Sequence, residues 1–388
     1  MKLKISRRVS AIQPSATLAI AGIARELKAK GQPVLSFSAG EPDFASPEGA
    51  LAAARNAMDR GETRYTANSG IPELKRAIAG YYKTRFDLDY APSEIIVSSG
   101  AKQVLYQAGQ TLADLDDEVL LPNPAWVSYV EQVRLADAGE VIIDTSSTGF
   151  IPTRDGMESA LSKKTVGMII NTPNNPTGVV YGRDTLEMLA DVARQNDLWI
   201  IYDEIYERLT YGEAKHYNIL QIAPDLRDRV IIVNGVSKAY SMTGWRIGYA
   251  LGPKEAIAKM DDVQSHLSSN ATSIAQWASV GAIESGESYI ESNRREFERR
   301  RDLLMDLLSG VEGLRLERPD GAFYAFIDVR NSSVPDDNEF CRRILEEKFV
   351  ALVPGDAFFA PGYVRMSYAC SEDDIREGAE RIKEFLRG

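Results

Sequence analysis

Seven short apolar runs, set apart by helix-like segments, constrain this chain more than any other feature in it. Ile95 to Val97, Val119 to Leu121, Val141 to Ile143, Val166 to Ile170 and Trp199 to Tyr202 are rich in β-branched residues and too short for buried helices. Ile231 to Val233 and Arg246 to Leu251 add two more. Strands that alternate with helices predict an α/β fold: a mostly parallel seven-stranded sheet covered by helices on both faces. The carboxyl ends of such strands form the rim that faces a ligand. With 388 residues, 44% of them hydrophobic, the chain can bury a large core and more than one domain.

The pattern differs on either side of these runs. Near the N-terminus, Leu18, Ala21, Ile23 and Leu27 recur at near-helical spacing, interleaved with Arg25, Glu26 and Lys28. The segment after Ser6-Arg-Arg8 therefore reads as a structural helix rather than an export signal. Val34 to Phe37 reads as a short strand, and helices open at Pro47 and Pro72. After Gly252 helices dominate, and Glu287 to Leu308 predicts one long helix whose charge run forms a solvated face. Ala322 to Val329, Val350 to Val353 and Val364 to Tyr368 read as strands of a second sheet, with a closing helix from Ser371. The expected division is a large domain over 46–295 and a smaller α+β domain from 1–45 with 296–388.

Asp and Glu number 56 against 45 Lys and Arg, a net charge of -11 that argues against nucleic acid as the main partner. No apolar run approaches the roughly 20 residues of a membrane helix. Two cysteines, Cys341 and Cys370, make no disulfide framework, so a reducing, cytoplasmic compartment is expected. His216 and His266 lie far apart, and no metal site is expected.

The loop between the last two runs carries one lysine, in Ser237-Lys238-Ala-Tyr, with Arg246 eight positions on. A lysine at a strand end against apolar walls has a lowered pKa and can attack a carbonyl to form an imine. Arg246 suits a pair of phosphate oxygens. Ser98-Ser-Gly100-Ala101-Lys102-Gln103 joins a strand to a helix, where small residues let N–H groups approach a phosphate. Asn175, in Asn-Pro-Thr-Gly178, brings an amide to the rim. Asp203 ends a buried strand, where a carboxylate needs a cation, and Tyr206 follows three residues on. Trp126 can stack on a flat ring, and Arg365 can grip a carboxylate bidentately. Each of these alone also reads as a turn, cap or core residue. Their conjunction in one order, mostly at strand ends, matches what pyridoxal phosphate needs. The phosphate takes N–H groups and Arg246, the pyridine nitrogen Asp203, the ring oxygen Asn175 and Tyr206, and the aldehyde Lys238.

From Ser6-Arg-Arg to the final helix the sequence resembles the class I/II aminotransferases of fold type I, near the bacterial aspartate aminotransferases. The motifs that carry the resemblance are Gly40-Glu-Pro-Asp-Phe, Tyr65 with Gly70-Ile-Pro-Glu-Leu, Asn175-Pro-Thr-Gly, Asp203-Glu-Ile-Tyr206, Ser237-Lys-Ala-Tyr, Gly244-Trp-Arg-Ile-Gly and Arg365-Met-Ser-Tyr. It implies that Lys238 holds pyridoxal 5'-phosphate and shuttles the proton, with Asp203 and Tyr206 as the other catalytic groups. It assigns cofactor binding also to Asn175, Ser237, Arg246 and the Gly100-Ala101-Lys102 backbone, and ring cover to Trp126. Arg365 is implied as the clamp on the substrate α-carboxylate, with Gly40, Trp126 and Asn175 beside it. Tyr65 is expected to reach the phosphate of a neighbouring subunit, which implies a homodimer with shared active sites.

The same resemblance bears on the substrate. In one subgroup of aspartate aminotransferases an arginine of the other subunit reads the distal carboxylate; the corresponding stretch here, Gln264-Ser-His-Leu267, has none. In another subgroup a phosphate-loop lysine and polar residues of the N-terminal arm take that task, and Lys102, Ser15 and Thr17 match them. Ala271 stands where relatives usually carry proline. The implied reaction moves the amino group of aspartate to a 2-oxo acid such as 2-oxoglutarate. Prephenate or glutamate, aromatic or basic donors, and a lyase on the same scaffold stay open at this point.

Overall fold

The computed structural model describes residues 3–387. Thirteen strands are present among them: β1 Leu35–Ser36, β2 Ile95–Ser98, β3 Glu118–Pro122, β4 Gly139–Ile143, β5 Thr165–Asn171, β6 Trp199–Asp203, β7 Val230–Gly235, β8 Gly248–Leu251, β9 Arg315–Leu316, β10 Tyr324–Asp328, β11 Val350–Ala351, β12 Val353–Pro354 and β13 Tyr363–Ser367. Seven form one sheet in the order β2-β8-β7-β6-β5-β3-β4. Only β8 runs antiparallel to its neighbours; the other pairs are parallel. All seven correspond to the apolar runs in the sequence. Residues in β2, β7 and β8 are buried throughout, because helices cover both faces.

Arg246 is not part of the last strand of this sheet. It adopts a left-handed backbone, φ 58°, after a short 3-10 turn at Thr243–Trp245, and β8 starts two residues later. The kink turns the guanidinium back toward the start of the helix Ala101–Leu112, where it lies against Gly100.

The second sheet is antiparallel, in the order β12-β13-β10-β9. The run Val350 to Val353 is not one strand. Val350 and Ala351 pair in parallel with Leu35 and Ser36, while Val353 and Pro354 pair with β13. Leu352 sits between, buried, so the chain changes partner within four residues. The N-terminal arm is thereby tied to the C-terminal part by a two-residue ladder that no sequence period announces.

The helix Glu287–Leu308 has the bounds its sequence predicts, and it buries Ile290, Phe297, Leu304 and Leu308. Its charge run is not solvated throughout, however. Arg300 and Arg301 are buried: Arg300 pairs with Asp43 at 2.7 Å, and Arg301 donates to the Pro319 carbonyl at 3.1 Å. Arg300 so ties this helix to the Gly40–Phe44 segment. No helix among the described residues is long and apolar enough to cross a membrane.

Candidate active site

The carboxyl ends of β2, β5, β6 and β7 converge with the Gly40 segment and β13 on one region. Asp203 closes β6 and is 3% exposed. Its carboxylate accepts from the Tyr129 hydroxyl at 2.7 Å and from the Ile205 N–H at 3.1 Å. Burial pushes its pKa up to about 6, against the downward pull of these two bonds. Lys238 follows β7, and its Nζ donates to the Gly40 carbonyl at 2.6 Å. Burial brings its pKa down to about 8; the Glu41 carboxylate opposes the fall, and the Arg365 and Arg246 charges add to it. The loop after β5 presents Asn175, buried, with its N–H held by the Asn171 side chain at 2.9 Å.

Arg365 lies on β13 with 1% exposure. It donates to Asn175 Oδ1 at 2.9 Å and to the Ser38 carbonyl at 2.7 Å, and its Nε is buried without an acceptor. Burial lowers its pKa from the ordinary value. Its guanidinium lies 4.5 Å from the Tyr324 ring centroid and 5.1 Å from that of Phe358. Because Asn175 uses its carbonyl oxygen on Arg365, its amide N–H groups remain to donate to a ligand. Tyr206 lies under Lys238, whose Nζ is 5.8 Å from the phenol ring centroid, and its hydroxyl meets that of Tyr324 at 2.8 Å.

Gly100 precedes the helix Ala101–Leu112 with φ 89°. The first-turn N–H groups of Ala101 and Lys102 have no intrahelical acceptor, which makes this end a ready anion site. A Cβ on Gly100 would come 2.3 Å from Arg246 Nη2, so only glycine lets the guanidinium close over the helix start. Arg246 is held there by the Thr243 and Ser99 carbonyls at 3.0 and 3.3 Å. A cleft of about 570 Å³ lined by Glu41, Pro42, Thr243, Gly244 and Arg246 opens beside it. Ser237 is buried just before Lys238.

Trp126 starts the helix Val127–Leu135 and packs edge-on to Tyr129 at 5.4 Å, so one helix turn carries both the aromatic and the partner of Asp203. Lys102 Nζ lies 4.8 Å from the Trp126 ring centroid. Ser15 and Thr17 stand at the start of the helix Ala16–Ala29; the Thr17 hydroxyl is buried and unpartnered. The arm reaches this region through Arg8 on Asp137 and through Gln13 N–H on Glu131, but no hydrogen bond joins Ser15 or Thr17 to Lys102 among the described residues. Tyr65 is 91% exposed and stands apart from the other site residues within one chain. Gln264 does not face a ligand: it is fully buried and bonded to Ser98, Gln107 and Asn68.

Tyr129, Tyr324 and the Ser38 carbonyl escaped the reading of the sequence. Tyr129 lies three residues beyond Trp126, the spacing that puts two side chains on one helix face, and that was the available signal. Tyr324 sits inside a run legible only as strand.

A family model described as aminotransferase class I and II matches residues 32–382. The aspartate aminotransferase of Geobacillus stearothermophilus is 44% identical over 389 residues, covering 99% of each chain. The aspartate/prephenate aminotransferase of Thermus thermophilus is 42% identical, covering 98% of each. A solved structure of the Thermus thermophilus aspartate aminotransferase with maleate superposes with a TM-score of 0.95, covering 99% of this chain and 100% of that one at 42% identity. A family model over most of the chain, relatives above 40% identical over nearly its whole length and a fold this similar make the chain a member of the class I and II aminotransferases.

Proposed function

We propose that the chain moves the amino group of a dicarboxylic L-amino acid, aspartate first, to a 2-oxo acid such as 2-oxoglutarate, with pyridoxal 5'-phosphate on Lys238. The observation that carries this reading is a set of three charges, Lys238, Asp203 and Arg365, none with a salt-bridge partner among the described residues. Buried charges without partners are costly unless a ligand supplies the counter-charges. A pyridinium would supply the counter-charge of Asp203 and a carboxylate that of Arg365, while an aldehyde would take the Lys238 amine, whose pKa of about 8 leaves part of it neutral and nucleophilic. The Gly100 cradle closed by Arg246 fits a phosphate. When bound, the cofactor supplies a ring that withdraws electrons from the substrate's α-carbon.

The chain's own residues do the rest. Asp203, ionised at neutral pH with Tyr129 on one oxygen, favours a positive ring nitrogen. Lys238 Nζ, with its pKa near 8, is poised to take the α-proton and return one. With the cofactor bound, Tyr206 and Asn175 would donate to the ring oxygen and Trp126 would cover the ring. Arg365, its guanidinium already oriented by Asn175 and Ser38, receives the α-carboxylate. Approach of 1–45 and 296–388 toward 46–295 excludes water and brings Arg365 to the substrate. Lys102 receives the distal carboxylate, and the resemblance assigns Ser15 and Thr17 of the arm to the same group. Support comes from the relatives named aspartate aminotransferases and from the maleate, a dicarboxylate, in the Thermus structure. The exposed Tyr65, with Leu3, Ile5, Val9 and Leu18 exposed on the arm, supports a homodimer with shared sites. Two free cysteines suit a cytoplasmic setting.

A panel of amino donors against 2-oxoglutarate tests this, with prephenate included because the Thermus relative is named for it. Lys238→Ala should fold and lose transamination; an unchanged rate ends the assignment. Lys102→Ala should lower kcat/KM for aspartate about 10- to 100-fold while sparing alanine. Steady ammonia release from aspartate alone would mark a lyase instead.

A further inference from the structure

We infer that Tyr324 is a positioning residue: its hydroxyl donates to Tyr206, which frees the Tyr206 proton for the ligand and links that contact to Arg365. The two hydroxyls lie 2.8 Å apart, with Tyr206 3% and Tyr324 0% exposed. Each phenol has one proton to give, so only one can donate to the other. If Tyr206 spent its proton on Tyr324, it would have none for a ring oxygen. Donation by Tyr324 instead polarises Tyr206 and makes it a stronger donor.

Three contacts hold Tyr324 for that role. It sits on β10 opposite Ser367, two residues from Arg365 on the neighbouring strand. The Arg365 guanidinium lies 4.5 Å from its ring centroid while bonding Asn175 at 2.9 Å. A Cβ on Gly40 would lie 2.6 Å from the Tyr324 hydroxyl, so residue 40 must be glycine for the phenol to stay in place. The charged and titratable groups facing the pair are Asp203, Arg365 and Lys238. Burial holds both phenols above their ordinary range, so both stay neutral donors at working pH.

The inference rests on the reading that Lys238 carries pyridoxal phosphate and Tyr206 meets its ring oxygen. The test is a pH titration of the visible absorbance of the loaded protein for wild type, Tyr324→Phe, Tyr206→Phe and the double variant. A hydrogen bond strengthened by roughly a tenth to a third corresponds to about 0.2–0.6 pH unit. Tyr324→Phe should raise the absorbance midpoint by that amount, because a weaker Tyr206 donor stabilises the anionic ring oxygen less. In the Tyr206→Phe background the same change should move the midpoint by less than about 0.1 unit, since nothing remains for Tyr324 to act through. An unmoved midpoint, or an equal shift in both backgrounds, overturns the inference. If Tyr324→Phe does not fold, Gly40→Ala takes its place; its methyl displaces the same hydroxyl and has to move the midpoint upward with Tyr206 present but not in the Tyr206→Phe background, which separates this effect from any change of the Gly40 carbonyl on Lys238. A wild type that develops no visible band refutes the cofactor reading, which separates the two failures.

Discussion

Replacing Asp203 by Asn should make the ligand-free protein gain stability relative to wild type as the pH rises. The folded carboxyl has its pKa pushed up to about 6 by burial, against 3.8 for an ordinary aspartate. The folded state therefore binds more protons than the unfolded chain between those values, and stability falls as pH rises through that window. The full loss, reached above about pH 7, is about 3 kcal/mol. At pH 5 about half of it has developed, so the stability of Asp203→Asn relative to wild type should grow by about 1.4 kcal/mol between pH 5 and pH 8. Scaled to 388 residues, the melting entropy makes this roughly 2 °C in Tm. The amide keeps an oxygen for the Ile205 N–H, but the buried Tyr129 hydroxyl loses its acceptor, a cost of about 1–3 kcal/mol that does not vary with pH and leaves the slope of the difference unchanged. The assay is thermal melting of cofactor-free wild type and Asp203→Asn at both pH values. Pyridoxal phosphate should then raise the Tm of wild type more than that of the variant, because only the carboxylate gains a counter-charge. A wild-type-minus-variant difference that is flat with pH would refute the reasoning, since it would mean that the carboxyl is not held charged and unpaired in the ligand-free fold.

Arg365→Lys keeps the charge but loses the fork that bonds Asn175 and Ser38, and kcat/KM for every amino donor should fall about 100- to 1,000-fold; steady-state kinetics with aspartate and alanine check it, and a loss confined to aspartate would contradict the α-carboxylate role. Gly248→Ala places a Cβ 2.1 Å from the Ala101 backbone nitrogen, which forces the phosphate-facing helix start away from β8. Overpacking of this kind costs about 1–3 kcal/mol, and the cofactor dissociation constant, read by absorbance titration, should rise at least about tenfold; an unchanged constant would mean that the cradle does not depend on this close approach.

How much was legible in the sequence follows from the range of the forces involved. The seven apolar runs, the helix Glu287–Leu308 and the proline-opened helices are local matters of periodicity and capping, and they stand where the residues put them, save that the last run enters its strand only at Gly248. The chemistry of Lys238, Asp203 and Arg365 is also local, in that each residue type at a strand end can do few other things. Partner changes are not local. Nothing in Val350 to Val353 says that its first two residues join Leu35 and Ser36 while its last joins the sheet of Arg365, because a short apolar run fits any ladder. The charge run around Arg300 and Arg301 reads as solvated until Asp43 and the Pro319 carbonyl arrive from elsewhere in the chain.

The sequence by itself determined the order of the elements and the kinds of charged group at the sheet's rim. Only the tertiary structure decided which groups are left without counter-charges, that Tyr129 rather than a cation meets Asp203, and that Tyr324 meets Tyr206 across 118 positions. The physical reason is that burial and hydrogen-bond partnership are properties of space. Residues far apart in the chain set the local field and the desolvation that move a pKa, and no window along the sequence contains them.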